Sequence, residues 1–168
     1  MGCTEPISLA YAAAVAAKYM DGLPDKVLVE ASGSIIKNVK SVIVPNTNHM
    51  KGIPVAAAVG IIAGNPDKEL EVLADVTPEQ IANAGVFAAY RNYHQTYRDL
   101  AAPLTLSLPC IRANTMLKCA LTNDHTNVVL IEKDGENLNT FPLTAKPTKA
   151  LPTEPCLTWP IFMILPTP

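Results

Sequence analysis

Apolar positions fall into two kinds of run along this chain. From Ile7 to Ala17 the sequence Ile-Ser-Leu-Ala-Tyr-Ala-Ala-Ala-Val-Ala-Ala favours helix and is apolar almost all round. A helix of that kind belongs inside a core, packed closely through its alanines. Thr4 is placed to cap it, Glu5 to sit at its positive end and Pro6 in its first turn. Gly22-Leu23-Pro24-Asp25 ends it. A second alanine-rich helix is expected from about Ile53 to Ala63, closed by Gly64-Asn65-Pro66-Asp67. A third begins at Thr77-Pro78-Glu79-Gln80, where Thr77 caps, Pro78 takes the first helical position and Gln80 completes a capping box. It is expected to reach about Asn92.

The other runs alternate. Lys26 to Ser32 sets Val27, Val29 and Ala31 against Lys26, Leu28 and Glu30, a strand pattern, and Ser41 to Val44 reads as a short strand stopped by Pro45. Gly33 to Lys40 fits either a helical turn or a bulged strand extension. Asn127 to Glu132 reads as a strand buried on both faces or nearly so, followed by the tight-turn pair Asp134-Gly135. The stretch 93–118 is atypical: Pro103 and Pro109 cut it into pieces with no clean period. The expected fold class is α/β, alanine-rich helices packed on a mixed β-sheet, with residues 1–138 as a partial domain. Residues 139–168 hold seven of the 15 prolines and no glycine, and read as a disordered or loosely docked tail.

Composition narrows the possibilities. Of the 168 residues 49% are hydrophobic and only 17% charged, which excludes disorder of the chain as a whole. The net charge is −2, with no basic stripe for nucleic acid, and the longest apolar stretch, Ile53 to Gly64, is too short to span a membrane. The apolar N-terminal run lacks the cationic segment of a secretory signal. Cys3, Cys110, Cys119 and Cys156 show neither C-x-x-C nor zinc-ligand spacing, so a reduced, cytoplasmic protein is the simpler expectation, the alternative being two disulfide bridges in a secreted one.

Three places carry candidate chemistry. Cys3 lies just before a helix N-terminus, where free N–H groups and the helix dipole favour a thiolate able to act as nucleophile, base or soft metal ligand. The loop Pro45-Asn46-Thr47-Asn48-His49-Met50-Lys51-Gly52 offers side-chain donors and a cation directly before a helix, the composition of a carboxylate or phosphate site or of an ordinary capping loop. In Asn123-Asp124-His125-Thr126-Asn127, His125 is a possible proton carrier or ligand within what is otherwise turn chemistry.

Several words occur in one order: Gly2-Cys3-Thr4-Glu5-Pro6, Ile36-Lys37-Asn38-Val39, Val44-Pro45-Asn46-Thr47, Lys51-Gly52-Ile53-Pro54, Ala63-Gly64-Asn65 and His125-Thr126-Asn127. That order resembles the N-terminal part of the L-cysteine desulfidase family, related to the serine dehydratase alpha-chain proteins. The resemblance implies an iron–sulfur lyase that releases sulfide, ammonia and pyruvate from L-cysteine or deaminates L-serine. A [4Fe-4S] cluster would serve as its Lewis acid. It further implies Cys3 as a cluster ligand, and Asn46, Thr47 and Lys51 are candidates for holding the carboxylate of a small amino-acid substrate.

The match covers roughly residues 1–90 and 120–138. Family members are more than twice this length, and one cysteine does not hold a four-iron cluster. The expectation is therefore a truncated fragment, inactive alone, that works with a C-terminal partner chain or as a homo-oligomer. The alternative is a non-enzymatic small-molecule, anion-binding or interaction module.

Overall fold

The computed structural model describes residues 4–89, 93–97, 105–112, 115–122 and 124–138, with 93–97 and 105–110 described for their backbone course alone. The expected Pro-rich tail, 139–168, lies outside the described residues, as do Cys3 and the stretch 90–92 into which the third helix was expected to continue.

The order of elements is α1 (Glu5–Lys18), β1 (Lys26–Ala31), α2 (Gly33–Val39), α3 (Ile53–Ala63), a 3₁₀ turn (Pro66–Glu71), α4 (Pro78–Ala89), β2 (Tyr93–Tyr97), β3 (Thr105–Arg112), β4 (Thr115–Thr122), β5 (Val128–Lys133) and β6 (Glu136–Asn137). The strands form one sheet in the order β2-β1-β3-β4-β5-β6. β1 and β2 run parallel, while every other pair is antiparallel. The fold is thus α/β, with alanine-rich helices on a mixed sheet.

α1 is the centre of the core. It packs against β3 and β4 and against α3, and α4 packs in turn on α3. Leu9, Ala10, Ala12, Ala13 and Ala16 are completely buried, as an apolar surface all round the helix requires. Val27 and Val29 of β1, Leu117, Cys119 and Leu121 of β4 and Ile131 of β5 line the covered side of the sheet. The crossing of α1 and α3 is made close by small residues. A Cβ at Gly60 would lie 2.2 Å from the Ala10 carbonyl oxygen and 2.8 Å from the Ala13 Cβ. A Cβ at Gly64 would lie 2.6 Å from the Ala14 Cβ.

Several local expectations hold. α4 opens with a capping box: the Thr77 N–H donates to Gln80 Oε1 (3.0 Å) and the Gln80 N–H to Thr77 Oγ1 (3.3 Å). Asp134 (φ 52°) and Gly135 (φ 89°) make the tight turn between β5 and β6, with both residues in the left-handed region that such hairpins need. The 33–40 ambiguity resolves to helix α2.

Other expectations are corrected. Ser41–Val44 is no strand, because Ile43 makes only an isolated bridge with Lys51. β5 is not buried on both faces: Ile131 alone is fully buried, and its other positions are only half-buried. The atypical stretch 93–118 supplies β2, β3 and the start of β4. Pro109 sits inside β3, opposite Lys118 in an unbroken ladder with β4. Towards β1 the registered pairs stop at Cys110 and resume at Ser107. A residue with no N–H to donate is tolerated at such an interruption, which is why proline did not end the strand.

Candidate functional site

The N-terminus of α1 gathers residues from three distant segments. Thr4, expected to cap the helix, has helical dihedrals and makes no side-chain cap. Its hydroxyl instead lies 3.1 Å from His125 Nε2, a hydrogen bond across 121 positions in which either group can donate. Beside it the Asn38 side-chain amide donates to Glu5 Oε1 at 3.1 Å. The helix start is secured from within, because the Ser8 N–H (2.9 Å) and the Ser8 hydroxyl (3.1 Å) both donate to the Thr4 carbonyl.

Local turn chemistry presents His125. The Asn127 side chain donates to the Thr122 carbonyl at 2.9 Å, closing the loop between β4 and β5. The Asp124 carboxylate accepts the His125 N–H at 2.6 Å. Asp and Asn in short loops commonly bond nearby backbone in this way. Glu5 and His125 are half-buried, whereas Thr4 and Asn38 are exposed, so the junction is open to solvent. Glu5 adds negative charge in the first turn of α1, where the helix dipole favours it. The arrangement places an imidazole, a hydroxyl and a carboxylate at one solvent-facing helix end, a set suited to moving protons.

The second place is an open cleft of about 490 Å³, lined by residues 43–49 with Ala74, Val76, Pro78 and Ile81. Asn46 and Thr47 are on its wall, but each donates from its side chain to a backbone carbonyl. Thr47 is 1% exposed and its hydroxyl donates to the Val44 carbonyl at 2.6 Å, while the Asn46 amide donates to the Leu73 carbonyl at 2.9 Å. Asn46 (φ 59°), Asn48 (φ 52°) and His49 (φ 66°) take left-handed conformations. Lys51 is exposed and lies outside the cleft lining. Gly52 (φ 92°) then turns the chain into α3, a conformation open to glycine. The structure therefore brings Asn46 and Thr47 together and leaves Lys51 apart from them.

Cys3, the expected metal ligand, lies outside the described residues, and no group of three potential ligands is present among the described ones. Cys119 is buried in the core. The sequence singled out His125, but gave Asn38 no role and did not pair it with Glu5. Their only common signal was membership of the same ordered set of words.

These features define an α/β chain with a core helix whose N-terminus carries a polar junction. No family model matches the chain. Its sequence is similar to proteins named UPF0597 protein: 46% identical over 136 residues to that of Treponema denticola, covering 81% of this chain and 32% of the relative. The similarity to that of Desulfitobacterium hafniense is 41% over 136 residues, with the same coverage. To that of Actinobacillus pleuropneumoniae serotype 3 it is 38% over 150 residues, 89% of this chain and 34% of the relative. The chain spans about a third of the length of these curated relatives. Their names state no activity, and none is named as an L-cysteine desulfidase or a serine dehydratase. That finding overturns the resemblance drawn from the motif words, and with it the iron–sulfur lyase fragment. The alternative of a binding or interaction module gains no support from the relatives either. No helix among the described residues is long and apolar enough to cross a membrane.

Proposed function

We propose that the junction at the α1 N-terminus is a proton-transfer site, with His125 as the proton carrier and Thr4 as its hydrogen-bond partner. The observation that supports this reading is the 3.1 Å contact between Thr4 Oγ1 and His125 Nε2, made beside the Glu5–Asn38 pair. A hydroxyl that holds an imidazole fixes its orientation, and a half-exposed imidazole stays within reach of a substrate. The substrate proposed is a small metabolite with an exchangeable C–H proton. The setting proposed is the reducing cytoplasm, in keeping with Cys119 kept as a core thiol.

The test is solvent-deuterium exchange. The chain is incubated in D2O with a small-metabolite extract, and carbon-bound deuterium is read by mass spectrometry. Label is expected in at least one metabolite, falling about a hundredfold with His125→Gln. Absence of label, or labelling that His125→Gln leaves unchanged, overturns the reading.

A further inference from the structure

β2 lies at one edge of the sheet, parallel to β1, and no described strand lies beyond it. An edge strand turns backbone donors and acceptors outward and is a template for pairing with another chain. Protected edges carry lysine, proline or a bulge. Tyr93-His94-Gln95-Thr96-Tyr97 has neither lysine nor proline, and it pairs with β1 in an unbroken register of five positions. The opposite edge is different: β6 is only two residues long, and the Leu138 N–H returns to the Ile131 carbonyl at 2.8 Å.

The β2 sequence is also close to a palindrome, with tyrosine at both ends and glutamine in the middle. A twofold axis through Gln95 would set Tyr93 opposite Tyr97, His94 opposite Thr96, and Gln95 opposite its own copy. Aromatic pairs directly opposite each other stabilise antiparallel strands, and a twofold contact of one patch with itself closes at two subunits. We infer that β2 pairs antiparallel with β2 of a second copy, joining the two sheets into one continuous sheet across a dimer.

Sedimentation and light scattering of the full chain test this. The parent chain is expected to be a dimer at micromolar concentrations. Gln95→Lys and Gln95→Glu, each placing like charges across the axis, should weaken association roughly tenfold or more. An equimolar mixture of the two should restore the dimer. Gln95→Cys should cross-link on oxidation, because opposed Cα atoms about 4.5–5.5 Å apart suit a disulfide; the parent chain with its own cysteines is the control. A monomeric parent, a dimer indifferent to both charged variants, no recovery on mixing, or no cross-link beyond the control overturns the proposal.

Discussion

Tyr11 shows how one side chain reports its surroundings. It is half-buried on α1, and its phenol is raised above the usual value of 10.0 first by burial, then by the nearby charges of Glu69, Cys119 and Asp67. Ionisation is therefore harder in the folded protein than in the unfolded chain. The resulting stability is fully present below pH 10 and is lost as pH rises through the higher folded value. Lys18, held by Asp67, is raised in the same direction and adds the same sign. Denaturant titrations at pH 8 and pH 11 should show stability falling at the higher pH, and Tyr11→Phe should lessen that fall. An unchanged alkaline loss in the variant would mean that Tyr11 is not its source.

At the level of elements, the α1–α3 contact and the α4 helix make opposite demands on glycine. Gly60 is the point where α3 touches the α1 backbone, so Gly60→Ala should cost about 3 kcal/mol through overpacking. Gly85 lies within α4, and a Cβ there would meet only the Met50 sulfur at an ordinary 3.5 Å. Gly85→Ala should therefore stabilise by about 0.5–1 kcal/mol, the usual helical preference for alanine. Urea unfolding of both variants checks the pair. The sequence marked both helices by composition and caps, yet it gave no means of telling which glycine was a contact and which a dispensable helix position. The distinction comes from the partner helix, which is distant in sequence.

For the whole molecule, the layering predicts where opening is hardest. α1 is enclosed by the sheet on one side and α3 on the other, while α4 buries only Ile81 and Ala84 and leaves Val86 59% exposed. Hydrogen exchange should give α1 amides the slowest rates, near the global unfolding limit, and α4 amides faster ones. Equal protection in the two helices would contradict this layering.

Much of this was legible along the chain because it depends on neighbours in sequence. The apolar run of α1, the Thr77–Gln80 capping box, the alternation of β1 and the Asp134-Gly135 turn are set by side-chain periodicity and backbone preference within a few residues. The tertiary structure decided what depends on a distant partner. Pro109 sits in a strand because β3 bonds continuously with β4 and only interruptedly with β1. Thr4 meets His125 because the sheet carries the β4–β5 loop to the N-terminus of α1. The hydroxyl of Thr47 serves the backbone rather than the cleft because its loop folds back on itself. Local energies select elements, but only the closed fold determines which unpaired donors and acceptors find each other.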